Sequence, residues 1–133
     1  MKRTIIFRLL TLLYLVAIAV LCFANFSSMP DVQKSFLGIP TDKIVHFLMF
    51  IPFPVLAYWS FSPKHITVVK MLLMLAAIFA AGCLIAWGTE YVQGKLPYRK
   101  MDMTDFKADR ISLAIGCLFS FFSQLFLRPK TDA

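Results

Sequence analysis

An all-α, integral membrane four-helix bundle with a polar cluster at one membrane face is the fold class this sequence predicts. Three observations carry the prediction. The 133-residue chain is 59% hydrophobic, with a mean hydropathy of +0.75, well past the balance of apolar and charged residues in soluble domains. Its apolar residues fall into four runs, about 4–24, 44–61, 66–91 and 105–127, of roughly the length that spans a hydrocarbon core. Its ionisable residues gather at the ends of those runs, where charge is tolerated at a bilayer only if it is paired or used. Residues 1–133 read as a single domain.

The first run, Thr4 to Ala24, follows Lys2 and Arg3. A basic start and Cys22-Phe23-Ala24 as a small-residue site raise a secretory signal, but the run is long for one. It reads as an uncleaved anchor, with Arg8 snorkelling to the headgroups. Ala19-Val20-Leu21 before Cys22 does not fit a lipid-attachment motif. The second run carries Pro52 and Pro54. Each proline removes an N–H and crowds the carbonyl four residues back, so a kink is expected. The third run holds Ala76, Ala77, Ala80, Ala81, Gly82 and Ala86. Small residues let helix backbones approach closely, which predicts the central helix of the bundle. In the fourth, Asp105, Asp109, Ser112, Gly116 and Ser123 form one polar and small stripe at helical spacing. That stripe is expected to face the bundle, with Phe119, Phe121, Phe122 and Phe126 mostly toward lipid.

With the N-terminus inside, the inner side holds Lys2, Arg3, Arg8, Lys64, Lys70, Arg128 and Lys130, and the outer side Lys34, Lys43, Lys95, Arg99, Lys100, Lys107 and Arg110. This tie leaves the choice to the three basic residues beside the first run, which favour the N-terminus inside. Six of the seven acidic residues then fall outside. Under either orientation two spans separate the connections at 25–42 and 93–104, so both lie at one face. The net charge of +7 is scattered over helix ends and forms no aromatic-interleaved stripe, which argues against nucleic acid as a partner and leaves membrane lipids.

The chemistry lies in three polar pairs. Asp42 and His46 are four apart, as are Asp105 and Asp109, and Glu90 and Gln93 are three apart. Each pair therefore shares a helix face. Asp42, His46, Glu90, Asp105 and Asp109 can ligate a divalent cation. His46, Glu90, Asp105 and Asp109 can instead act as catalytic acids and bases. Lys43, Arg99 and Arg110, with Gln93, can hold the phosphate or carboxylate of a substrate.

Structural readings stand beside these. Thr41 and Asp42 suit a helix start, and Asp102 followed by Asp105 suits an acidic capping box. Asp109 can pair with Arg99, Arg110 or Lys43. His46 can donate to a carbonyl freed by the kink. Glu90 opposes the dipole at a helix C-terminus, so it is either paired or functional. Gly-rich phosphate loops, His-Glu-x-x-His, Gly-x-Ser-x-Gly and Cys-x-x-Cys do not occur in the sequence. Cys22, Cys83 and Cys117 are odd in number and lie within spans, so they read as core residues without a disulfide. The absence of an internal repeat argues against a conventional transporter.

Asp42-Lys43-x-x-His46, Glu90-x-x-Gln93, Arg99 and Asp105-x-x-x-Asp109 with Gly116 behind, taken in order, resemble the VanZ-like membrane protein family across residues 40–118. Two departures stand out: Asp109 takes the place of the family's Asn, and Ser112 that of a Gly. The resemblance implies a multi-pass protein of the bacterial inner (cytoplasmic) membrane and an association with resistance to the glycopeptide teicoplanin. Two function classes follow. One is an envelope enzyme acting on an amphiphilic or phosphate-bearing substrate. The other is a non-enzymatic binding or accessory module for a lipid headgroup, an envelope precursor or an antibiotic. Carboxylate charge beyond what pairing requires favours the first.

Overall fold

The computed structural model describes residues 2–25, 35–61 and 65–127. Asp31, Lys34, Lys64, Arg128 and Lys130, which entered the charge comparison, lie outside them. The elements run α1 (Lys2–Phe23), β1 (Ser35–Phe36), β2 (Ile39–Pro40), α2 (Thr41–Phe50), α3 (Pro52–Phe61), α4 (Val68–Gln93) and α5 (Met103–Phe126). With α2 and α3 taken as one broken helix, the four spans are long and apolar enough to cross a membrane. The chain is a multi-pass membrane protein of all-α architecture.

The helix ends meet in two layers. At one end, Arg8 Nε of α1 donates to Ser60 O of α3 at 3.3 Å, and Thr11 Oγ1 lies 2.8 Å from Ser60 Oγ. Arg8 thus satisfies a carbonyl in the last turn of a neighbouring helix, where snorkelling was expected. Arg3 lies over the Trp59 ring at 4.8 Å. At the other end, the start of α2, the end of α4 and the start of α5 converge. A short addition to the all-α plan occurs here: β1 and β2 pair antiparallel with Phe36 opposite Ile39. Leu37 and Gly38 link them with φ of 51° and 80°, the positive values a two-residue hairpin needs.

The proline pair breaks the second span at Ile51, which keeps helical angles of φ −57° and ψ −46°. The helix is interrupted there, at the prolines from which a kink was expected, while the backbone stays close to helical. This broken helix is the centre of the bundle. Its most apolar window is 44% buried, against 22% for α4 and 11% for α1. The sequence pointed to α4 instead, and that expectation is corrected. Gly82 and Ala86 of α4 are buried, but Ala76, Ala77, Ala80 and Ala81 are exposed. Small side chains permit close approach without compelling it, and here they border grooves. One of about 650 Å³ is walled by Ala77 and Ala81 with Leu15 and Phe53. Another of about 500 Å³ includes Ala76, Ala114 and Phe121.

The close approach is made by α5. A Cβ on Gly116 would collide with Ile51 O and lie 2.9 Å from Pro54 Cγ, so glycine is what lets α5 pass the break. Asp105, Asp109, Ser112 and Gly116 all face inward, as expected, but the buried row continues through Ser120 and Gln124. It follows the ridge of i+4 steps, leaving Ser123 half-buried. Phe119, Phe122 and Phe126 are exposed, whereas Phe121 packs on the core.

Three glycines form a graded test of this packing. Gly116→Ala should destabilise the chain by about 1–3 kcal/mol, the usual cost of overpacking, because a backbone carbonyl blocks the site. Gly82→Ala should cost less, since its obstacle is the flexible Leu113 side chain at 2.6 Å. Gly88→Ala meets nothing within 4 Å and should be neutral or stabilising. Unfolding in detergent gives the order. Separately, single cysteines at Gly38 and Lys95 in a background lacking the three native cysteines should label from the same side of the membrane. Labelling from opposite sides would refute the layer assignment.

Candidate functional site

The site begins with the way α5 starts. Asp102 is its N-cap, and its carboxylate accepts from Thr104 N at 2.8 Å, the expected capping contact. The return half of a capping box would have Asp105 reach back to the Asp102 N–H. That N–H instead donates to Glu90 Oε2 at 3.1 Å. Glu90, placed against the dipole at the end of α4, therefore finds its partner in the first backbone donor of α5. Asp105 is left to face α2.

On α2, Lys43 Nζ lies 3.0 Å from Asp102 Oδ2 and 3.1 Å from Asp105 Oδ1. One turn further in, the His46 ring is flanked by carboxylates. Its Nδ1 lies 3.3 Å from Asp109 Oδ1 and 3.6 Å from Glu90 Oε1. Its Nε2 faces Asp105 Oδ2 at 3.9 Å. His46, Glu90 and Asp109 are all buried, the last two completely, at 0% exposure. One donor atom from each falls within 4.8 Å of the other two. Glu90 Oε1 and Asp109 Oδ1 have no hydrogen-bond partner among the described residues. A buried carboxylate oxygen without a donor is costly, so both oxygens can accept a positive or hydrogen-bonding partner.

Exposure grades outward from this point. Glu90 and Asp109 are closed off, and His46 and Asp105 nearly so. Lys43 is partly exposed, and Asp102 at the mouth is 42% exposed. The arrangement can exchange protons along a file of titratable groups or hold a cation at its inner end.

The remaining sequence candidates go elsewhere. Asp42 is exposed in the first turn of α2, whose N-cap is Pro40 without a side-chain cap, so neither Thr41 nor Asp42 is the cap. Arg110 lies over the Phe106 ring at 4.9 Å. Arg99 donates to Leu21 O at 3.3 Å and to Ala24 O at 3.4 Å. Gln93 Nε2 donates to Cys22 O at 2.9 Å, and Tyr98 Oη to Phe23 O at 2.7 Å. These three side chains together satisfy four consecutive carbonyls at the end of α1, groups that a helix cannot satisfy itself. Tyr98 was not singled out in the sequence. Its signal was indirect: a phenol donor in the same short connection as Gln93 and Arg99. Asp109 pairs with His46, not with Arg99, Arg110 or Lys43, and His46 turns to carboxylates and not to a carbonyl of the kink.

No family model matches the chain, and no solved structure matches it. It is 26% identical over 85 residues to an uncharacterized protein of the fission yeast Schizosaccharomyces pombe, an alignment covering 63% of this chain and 49% of the relative. The chain thus spans about half the length of the curated relative it matches.

Asp102 provides a pH test. Hydrogen bonds from the Thr104 hydroxyl and N–H, then the Lys43 ammonium, lower its pKa from 3.8 to about 2. The unfolded chain therefore takes up this proton first. The stabilisation from Asp102 is complete above about pH 4 and disappears as pH falls through about 2. The difference in melting temperature between the parent protein and Asp102→Asn should shrink across that window. A difference independent of pH would contradict the assigned contacts.

Proposed function

We propose that this multi-pass membrane protein works through the His46–Glu90–Asp109 cluster, on the headgroup of an amphiphilic molecule presented from the bilayer. The carrying observation is that three helices each commit a buried ionisable side chain to one point, and two carboxylate oxygens there are left without donors. Burying such groups is unfavourable for a helix bundle in lipid, and intramembrane ionisable residues commonly mark function. In this reading the imidazole carries a proton between the enclosed carboxylates and a headgroup at the Lys43–Asp102 mouth.

The phosphate-bearing, lipid-linked class of substrate is supported by the motif series resembling the VanZ-like family and by Lys43 at the mouth. The same resemblance supports a bacterial inner membrane and a link to teicoplanin resistance. The yeast relative widens the range of membranes to consider, so the substrate is named here by its chemistry. A second reading, a non-enzymatic binding or accessory module, is favoured by the way Asp102 and Lys43 already partner Glu90 and Asp105.

Mass-spectrometric lipid profiles of a host lacking the gene, complemented with parent or variant chains, discriminate the two readings. The enzyme reading expects His46→Ala to accumulate the same amphiphile as the deletion strain, with the variant still inserted in the membrane. Removing one partner of such a buried set costs about 3–5 kcal/mol, so His46→Gln serves as the gentler variant. Restoration of the normal profile by both variants would reject a working role for the cluster. An unchanged lipid profile in the deletion strain, with an amphiphile co-purifying with the parent and not with the variants, would favour the binding module.

A further inference from the structure

We propose that His46 Nδ1, Glu90 Oε1 and Asp109 Oδ1 form a binding site for one first-row divalent cation of the zinc type. This deepens the proposal above, since it rests on the same cluster, and it recasts His46 as a ligand in place of a proton carrier.

Four observations converge. The donor spacing fits a shared ion. Ligand bonds of about 2.0–2.2 Å in tetrahedral geometry put neighbouring donors roughly 3.3–3.6 Å apart. The two edges from His46 Nδ1 measure 3.3 Å to Asp109 and 3.6 Å to Glu90. One donor atom of each of the three residues lies within 4.8 Å of the other two, within reach of a carboxylate rotation. Second, Glu90 Oε1 and Asp109 Oδ1 are the two carboxylate oxygens that lack a hydrogen-bond partner among the described residues. Each residue is fully buried, and both oxygens lie within 3.6 Å of His46 Nδ1, whose hydrogen bond runs to the other Asp109 oxygen, Oδ2, at 3.4 Å.

Third, the opposite ring nitrogen faces a carboxylate. A metal-bound histidine characteristically turns its other ring nitrogen to a carboxylate, which fixes the tautomer and raises ligand basicity. Here Nε2 faces Asp105 at 3.9 Å, and Asp105 is anchored by Lys43 at 3.1 Å. Asp105 is thereby a positioning residue and not a ligand, and exposed Asp42 lies outside the set. Fourth, the charge calls for it. Glu90, Asp105 and Asp109 surround His46, and Lys43 is shared between Asp105 and Asp102. A dication balances the two enclosed carboxylates, Glu90 and Asp109, whose ion-pair partner among the described residues is His46.

One imidazole and two carboxylates suit zinc, manganese or ferrous iron better than calcium or magnesium, which take oxygen ligands. Three protein ligands also leave a position open, as in sites that do chemistry and unlike closed structural ones.

The full chain, purified in detergent and stripped with a chelator, tests this without any substrate. Titration with Zn²⁺ should show one ion per chain by elemental analysis and a rise in melting temperature that chelator reverses. Glu90→Gln and Asp109→Asn should each abolish the bound ion. Asp105→Asn should weaken binding roughly 10–100-fold, as loss of an outer partner does, and Asp42→Asn should leave it unchanged. Should the inner variants fail to fold, the parent loaded with Mn²⁺ provides the answer: pulsed electron paramagnetic resonance must show coupling to one imidazole nitrogen. Absence of bound ion in the parent, no nitrogen coupling, or equal binding by a folded Glu90→Gln/Asp109→Asn double variant would overturn the site. Stabilisation by Glu90→Gln with no metal bound would overturn it in favour of a proton as the occupant. Each of these results leaves the lipid-profile test of function standing. Conversely, a bound ion with an unaltered lipid profile would retain the site and remove the enzyme reading.

Discussion

The whole hairpin end of the bundle is organised around one imidazole. In a low-dielectric setting three carboxylates repel each other strongly, and each resists losing its hydration. His46 lies between Glu90, Asp109 and Asp105 and gives helices α2, α4 and α5 a common point of attraction. Removing it would leave those helix ends pushing apart. The hydrophobic effect cannot substitute, since lipid is as apolar as the helix faces and packing between membrane helices rests on close contact and polar pairs.

The kink and the glycine serve that point. His46 lies about one and a half turns before the break at Ile51, and Gly116 about two turns after Asp109 on α5. The carbonyl of Ile51 approaches Gly116 so closely that no side chain fits between them. The two helices are therefore held at fixed separation near the middle of their spans, and the polar contacts above inherit that separation. The result is a polar end that needs no large hydrophobic core behind it.

Much of this was legible from residue spacing. Asp105 and Asp109 on one face, the proline kink, and the convergence of His46, Glu90 and Asp109 followed from helical periodicity and the membrane's demand that charges be used. The centre of the bundle was not legible. Alanine signals possible close approach, and only the partner's shape decides whether it happens, which is why Ala76 and Ala77 border grooves while Gly116 makes the contact. The fates of Arg99 and Gln93 were also hidden. Both are donors near a cluster of acceptors in the sequence, but the unmet carbonyls of α1 compete for them, and a carbonyl demand leaves no trace in side-chain identity.

The grip of Gln93, Tyr98 and Arg99 on the end of α1 has a consequence for biogenesis. These hydrogen bonds join residues 71 to 78 positions apart, so they can form only after the connection that carries them has left the ribosome. Until then α1, which buries little beyond Ile18 and Cys22, can be held by α3 through Arg8 and Thr11, but its terminal carbonyls lack these donors. Closure of this latch follows the packing of α1 on α3 in chain order. A translation arrest or truncation before residue 99 would leave an inserted but unlatched first helix, in the form that membrane quality-control proteases meet when they sample orphan segments.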